Sequence, residues 1–361
     1  ARSSTTRWSS TTVRVKATGI PSRVLIVGEA PGKEEEMLGV PFMGASGSEL
    51  RRMLKTAGFD PSACAMTNVF MDRPKDNDLA TICAPRAGVP KDYKLLPLST
   101  GKYVRPEFLF ELDRLREEIL ACKPDLIIAL GNTATWALLG RTGISKLRGA
   151  VFPCELAPGF SVLPSYHPAA VLRDWAIRPI AITDLIKAKR FLDEGFTVPR
   201  RELWLEPTLE EVRTFVREHI FARPPPVLSL DIETAGGTIT CIGFSPRPDL
   251  AITIPFHDPK TEDKSYWSVE DERTVLRLVA QVLRSPIPKL GQNGLYDIQY
   301  IYHCWRIQVN RYLHDTMIRH HSLYPEMEKG LGFMGTIYTD EAPWKLLRDR
   351  NRDNFKIGDD E

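Results

Sequence analysis

From Arg23 to about Lys189 short apolar runs alternate with amphipathic stretches, the pattern of strand and helix units stacked on a mainly parallel sheet. Val24 to Val27, Ala65 to Phe70 and Leu126 to Leu130 read as buried strands. Between the first two, Leu50, Met53, Leu54 and Ala57 recur at helical spacing and Gly58 supplies a stop. Ser48 to Ala57 is therefore expected to be a helix with one face on the sheet. Gly131-Asn132-Thr133, after the third run, reads as a helix start. The stretch from Arg73 to about Tyr103 carries neither period, so it is expected to be a long loop of the kind that often touches ligand.

A second pattern begins near residue 200. Charged helical sequence from Leu209 to Ile220 runs into Pro224-Pro225-Pro226, and an apolar strand, Val227 to Ile232, follows. Thr238 to Phe244 and Leu250 to Pro255 read as two more strands of a meander, with a helix near Glu270 to Leu283 after them. Strands first and helices later predict an α/β domain of another kind, and no internal repeat relates the halves. The expected organisation is an N-terminal arm over 1–19, one domain over 20–200 and another over 201–361, in keeping with about 150 residues per domain.

Composition narrows this picture only a little. With 48 Lys and Arg against 46 Asp and Glu, the net charge of +2 neither demands nor excludes a polyanionic partner. No apolar run approaches the roughly 18 residues that span a bilayer, so no membrane partner is expected. The cysteines, Cys64, Cys83, Cys122, Cys154, Cys241 and Cys304, form no C-x-x-C pair, which fits a reducing compartment and no disulfide frame or zinc ribbon. Arg2, Arg7, Arg14, Lys16 and Arg23 punctuate a Ser/Thr-rich start without an acid. That reads as a flexible tail, or as a basic arm that lies on nucleic acid or on the neighbouring domain.

Gly28-Glu29-Ala30-Pro31-Gly32 directly follows a strand, where small residues let backbone amides approach a ligand and put a carboxylate at the sheet's carboxyl edge. Alone it describes any tight turn; as a nucleotide phosphate loop it lacks the Lys-Ser/Thr ending. Pro41-Phe42-Met43-Gly44, Thr67-Asn68-Val69, Leu130-Gly131-Asn132-Thr133-Ala134 and Pro164-Ser165-Tyr166-His167-Pro168-Ala169-Ala170 follow it in order. With these five motifs, residues 20 to 195 resemble the uracil-DNA glycosylase superfamily, most closely its iron-sulfur class. The resemblance implies base extrusion and N-glycosidic hydrolysis. Gly28, Ala30, Phe42 and Asn68 would hold uracil, with Phe42 stacking on the base and Asn68 reading its edge. Glu29 and Glu35 would shape the catalytic floor, and His167 would stabilise the leaving group. Val171, Leu172 and Arg173 match the family's DNA-intercalating loop. The cluster-binding C-x-x-C is absent near the amino terminus, and Asp72 stands where a later cysteine would be, so no iron-sulfur cluster is expected. The long loop must then be held by other contacts.

Leu228-Ser229-Leu230-Asp231-Ile232-Glu233-Thr234 carries two acids two residues apart on a strand, hence on one face and about 6–7 Å apart. Two such charges repel unless a cation sits between them. Asp297 follows on a helix start within Gly291-Gln292-Asn293-Gly294-Leu295-Tyr296-Asp297, and Asp315-Thr316-Met317 comes later. Residues 205 to 361 resemble the 3′-5′ proofreading exonuclease of phage-type family A DNA polymerases. The resemblance implies a ribonuclease-H-like fold, Mg²⁺ or Mn²⁺ on Asp231, Glu233 and Asp297, and substrate contact at Asn293, while Asp315 is read as structural. The third motif, Tyr-x-x-x-Asp, is missing, since Tyr338-Thr339-Asp340 has the wrong spacing, and nothing supports Asp340, Asp359 or Asp360 as a substitute. Weak or absent nuclease activity and truncation before the polymerase domain are the resulting expectations.

The combined expectation is an α/β chain in which a glycosylase-like parallel-sheet domain precedes an exonuclease domain incomplete at its C-terminus. Its partners would be uracil-containing DNA, a primer 3′ end and the remainder of a polymerase chain, in the cytoplasm of a phage-infected bacterium. The competing reading is a catalytically silent uracil- or DNA-binding module, or a structural platform for the polymerase.

Overall fold

The computed structural model describes residues 14–195, 200–261 and 264–341. Arg2, Arg7, Asp359 and Asp360 lie outside the described residues. Contacts divide the chain into a first unit, Ala1–Thr197 with Gly332–Glu361, and a second, Val198–Leu331.

The first unit contains β1 (Val24–Gly28), β2 (Ala65–Asn68), β3 (Cys83–Ala84), β4 (Tyr103–Val104), β5 (Leu126–Leu130), β6 (Phe152–Pro153) and β7 (Ser161–Ser165). Its main sheet runs β2-β1-β5-β7-β6, with the first four parallel and β6 antiparallel at the edge. Leu25, Val27, Ile127, Ala129 and Val162 enter one apolar cluster, while Val24, Ile26, Leu126, Ile128 and Leu163 enter another. Both faces are covered, which is why these strands read as continuous apolar runs. The helices are α1 (Lys33–Leu38), α2 (Ala45–Thr56), α3 (Phe110–Cys122), α4 (Gly131–Leu139), α5 (Ile144–Leu147), α6 (Pro168–Arg173) and α7 (Arg178–Glu194). Helix α2 buries Leu50, Met53 and Leu54, the positions its spacing singled out. Because β1, β2, β5 and β7 point the same way, the turns that follow them open along one sheet edge.

The stretch 73–103 is a long connection broken by short 3₁₀ turns, with β3 pairing antiparallel to β4. Ile82, Leu98 and Val104 plug into the core cluster beside α3, and Trp136 Nε1 donates to Leu96 O at 2.8 Å. Tyr93 OH donates to Val104 O at 2.6 Å. These are the contacts that hold the loop. The described end of the N-terminal arm is docked as well: Val15 is buried, Thr18 bridges Met66, and Arg14 donates to buried Glu111 at 3.0 Å.

The second unit contains β8 (Glu202–Trp204), α8 (Leu209–Phe215) continuing into a π-helical turn over Val216–Phe221, β9 (Leu228–Ala235), β10 (Thr238–Arg247), β11 (Leu250–Pro255), α9 (Val269–Arg284), β12 (Lys289–Gly291), α10 (Leu295–Trp305), β13 (Tyr312–Asp315) and α11 (Thr316–Leu323). The sheet order is β13-β12-β9-β10-β11-β8. β9, β10 and β11 form an antiparallel meander, and β12 and β13 run parallel to β9. Setting aside the edge strand β8, the order is third, second, first, fourth, fifth. This is the ribonuclease-H-like α/β arrangement. Leu228, Leu230 and Ile232 enter the core with Val275 and Val279 of α9, so Asp231 and Glu233 fall on the opposite, exposed face of β9.

Helix α12 (Leu331–Tyr338) corrects the expected boundary at the C-terminal side: Gly332 to Glu341 group with the first unit. The reason is a set of polar anchors, in which Lys187 Nζ donates to Thr336 O and Thr339 O at 2.8 Å and Asp340 pairs with Arg190. Asp340 is thereby engaged within the first unit. Among the described residues, no helix is long and apolar enough to cross a membrane.

Candidate functional site

The turns after β1, β2, β5 and β7 converge on a pocket of about 460 Å³. Its lining includes Glu29, Ala30, Glu35, Phe42, Asn68, His167 and Arg173, so most of the expected site residues are brought together. Pro74 and Asn77 of the long loop line it too. Gly28 stands directly behind the wall: a Cβ there would lie 2.6 Å from Phe42 Cζ and would collide with Asn68 Oδ1.

Phe42 is fixed in an unusual way. It has φ +57°, in the left-handed region that phenylalanine rarely adopts, and its side chain is buried. Arg51 Nη1 holds its carbonyl at 2.7 Å. Its ring lies 6.3 Å from that of His167, with planes 29° apart. Asn68 ends β2, and Arg114 Nη2 clamps the backbone there by donating to Asn68 O at 2.7 Å and Val69 O at 2.8 Å. Arg114 is itself held by Glu111 and Glu118 at 2.6 Å each. Among the described residues, none hydrogen-bonds the Asn68 carboxamide, which leaves its donors and acceptor for a ligand.

Glu29 accepts from Thr133 Oγ1 at 2.6 Å, which orients the carboxylate toward the start of α4. Glu35 lines the same pocket and also braces its turn. Its Oε2 accepts from Gly32 N at 2.7 Å as the third residue of α1, so it fixes the turn that carries Glu29. His167 caps α6: Nδ1 accepts from Ala169 N at 3.1 Å. The proton of the neutral ring is therefore assigned to Nε2, a donor. Removal of the ring from water, followed by the charge of Arg173, pushes the His167 pKa down to about 4. The ring is neutral at physiological pH.

The intercalating loop needs correction at Val171. That residue is 0% exposed and belongs to the core cluster with Leu50 and Leu54, so it is unavailable to DNA. Leu172 is exposed, Arg173 lines the pocket, and Trp175, which the sequence reading passed over, is 59% exposed on the next turn. Arg178 lies over the indole at 4.9 Å and donates to buried Glu49 at 2.7 Å. Asp72, standing where the resembled class carries a cysteine, faces Arg14 at 3.9 Å.

In the second unit Asp231 is pushed up to about 6, first by partial burial and then by the charges of Asp297 and Glu233. Asp297 is also raised, chiefly by burial, and one of its oxygens accepts from Ile232 N at 3.0 Å. The oxygen donors suit a hard dication. Among the described residues, no group of three acidic, histidine or cysteine side chains is gathered as a metal site. One Asp297 oxygen is taken by the β9 backbone at Ile232 N, while the charges of Asp297 and Glu233 both bear on Asp231. Asn293, with φ +56°, and Gly294 donate their backbone N–H groups to Asp315, which also caps α11 through Met317 N and Ile318 N. Burial would raise the Asp315 pKa, but these donors outweigh it and hold the carboxyl below its ordinary value.

The family model described as the uracil DNA glycosylase superfamily matches residues 16–189. The type-4 uracil-DNA glycosylase of Thermotoga maritima is 30% identical over 186 residues, covering 50% of this chain and 84% of that relative. That of Sulfurisphaera tokodaii is 30% identical over 217 residues, covering 55% and 86%. The chain belongs to the uracil-DNA glycosylase superfamily. The superfamily match ends near the close of α7, before the second unit. A DNA polymerase of Bacillus phage SP01 is similar across both units, at 22% identity over 331 residues, covering 83% of this chain and 32% of that polymerase. The chain thus spans about a third of that relative's length.

Proposed function

We propose that the first unit of this superfamily member removes uracil from DNA by accepting an extruded base and hydrolysing its N-glycosidic bond. The observation that carries this is the convergence of Asn68, Phe42, Glu29 and His167 on one pocket. A uracil in the pocket lies against the Phe42 ring while the Asn68 carboxamide donates to a carbonyl and accepts from N3–H, a combination that cytosine lacks. Arg114 and Gly28 make that reading possible, the first by clamping the Asn68 backbone and the second by leaving room for both side chains.

As the glycosidic bond lengthens, negative charge gathers on the base and positive charge on the sugar. His167, neutral with its proton on Nε2, donates to the developing oxyanion without giving up a proton. Glu29, oriented by Thr133, supplies the opposite charge on the sugar side and accepts a proton from the attacking water. Glu35 is a positioning residue for Glu29. Leu172, Arg173 and Trp175 meet the strand beside the pocket, through apolar contact, charge and base stacking. The test is alkali cleavage of uracil-containing oligonucleotides after incubation with the protein, with His167→Ala and Asn68→Asp as controls.

The second unit supports a separate reading, favoured by its strand order and by the phage polymerase match that runs through both units. We propose that it is an exonuclease-type domain from a polymerase chain, placed where a primer 3′ end is handled.

A further inference from the structure

Behind β7 lies a cluster of buried ions that excision chemistry does not use. Arg148 and Asp184 are both 0% exposed, and Arg148 Nε donates to Asp184 Oδ2 at 2.9 Å while Nη2 pairs with Oδ1. Ser165 Oγ donates to the same Oδ2 at 2.8 Å. Ser165 ends β7, two positions before His167. Lys187, also buried, lies on α7 with Asp184.

Two buried cations and one buried acid leave an excess of positive charge, which needs acceptors. A segment far along the chain provides them. Arg148 Nη1 donates to Thr336 Oγ1 at 2.9 Å, and the Phe333 ring lies against the guanidinium at 5.4 Å. Lys187 Nζ takes Thr336 O and Thr339 O, carbonyls at the C-terminal end of α12, where the helix has no donors of its own to offer them. Gly149, at φ +73°, is shaped to the same fit: a Cβ there would lie 2.6 Å from Asp184 Oδ1 and 3.4 Å from Thr336 O. The socket is thus built for its occupant at both ends of the acid.

We propose that residues 332–341 are a positioning element of the uracil pocket: seated on Arg148 and Lys187, they hold Asp184 against Ser165 and so set the placement of His167. The catalytic consequence rests on the uracil-excision reading; the placement of His167 does not. When the Thr336 hydroxyl is lost, Arg148 has a buried donor without a partner and reorients, and the bidentate grip on Asp184 that fixes Ser165 loosens with it. Gly131 packs tightly on His167, where a Cβ would approach His167 Cβ to 3.1 Å, so a shift at the end of β7 is transmitted to the ring.

The test compares Thr336→Val, which keeps volume and removes the acceptor, with Thr336→Ser, which restores it. Two quantities are read well below the unfolding temperature: the NMR resonances of the His167 imidazole, assigned with His167→Gln, and the single-turnover excision rate alongside DNA affinity. The expected result is a shifted His167 resonance and a rate lowered about tenfold at nearly unchanged affinity in Thr336→Val, with both restored in Thr336→Ser. Lys187→Met, which removes the two carbonyl contacts, gives the same comparison should Thr336→Val fail to fold. Unshifted His167 resonances and a wild-type rate per folded molecule would overturn the proposal. If the wild-type protein excises nothing, the uracil reading fails and the resonance comparison alone decides the socket.

Discussion

Gly28→Ala tests the pocket wall with the smallest change that the sequence permits. Gly28 has no left-handed φ, so the substitution strains no backbone and acts through space alone. The added methyl would lie 2.6 Å from Phe42 Cζ and 3.2 Å from Phe42 Cε1, and inside contact distance of Asn68 Oδ1. Phe42 has little room to retreat, because its carbonyl is tied to Arg51 at 2.7 Å and its backbone packs directly on Gly47. The ring must therefore swing into the open pocket, or Asn68 must leave the base edge. Overpacking of this kind costs about 1–3 kcal/mol, and a displacement near 1 Å at a reacting site lowers rate about 100-fold. Single-turnover excision from a uracil-containing oligonucleotide, with a melting curve in parallel, should show a rate loss near two orders of magnitude and a Tm lower by only several degrees. An alanine variant that excises at the wild-type rate would refute the assignment of Phe42 and Asn68 as the walls of the site.

His167 should confer no inflection near its ordinary pKa of 6.5, because desolvation and the charge of Arg173 push it down to about 4, so a rate titrating at 6.5 would contradict a donor held neutral. Asn68→Asp removes the donor to the base carbonyl, and roughly 10- to 100-fold lower excision of uracil is expected in the same assay. Trp175→Ala should weaken oligonucleotide binding about 5- to 10-fold in a fluorescence titration, with partial rescue by Trp175→Phe. In the second unit, Asp231 binds more protons folded than unfolded between 3.8 and about 6, so stability declines as pH rises through that window. Asp231→Asn is expected to raise Tm at neutral pH and to flatten this dependence, as followed by thermal melts across the window.

The parallel sheet was legible because β1 and β5 are covered on both faces and so are apolar at every position. β12, β13 and β8 were not, being three or four residues long and set by pairing, β12 with β9, β13 with β12 and β8 with β11, rather than by their own pattern. Residues on loops that touch the ligand were easier to find than those that hold them. Arg114 illustrates the difference: with Glu111 and Glu118 at helical spacing it has the pattern of a solvated charged face, yet it clamps the turn after β2. Thr133 lay inside a quoted motif, but only the fold brings it to Glu29 across a separation of 104 residues. Val171 misled for a related reason, since an apolar residue in an intercalating loop and one plugging the core are identical in sequence. The seating of α12 on the first unit left no local signal, because buried Arg148 and Lys187 find their acceptors far along the chain.

The most direct measurement of the central claim is the appearance of alkali-labile abasic sites in uracil-containing single- and double-stranded oligonucleotides. The wild-type protein is expected to generate strand breaks at uracil, with His167→Ala lowering the yield about 100- to 1,000-fold, the size of one lost oxyanion donor. Tight binding to uracil-containing DNA without any abasic product, or product formation undiminished in both His167→Ala and Asn68→Asp, would contradict it.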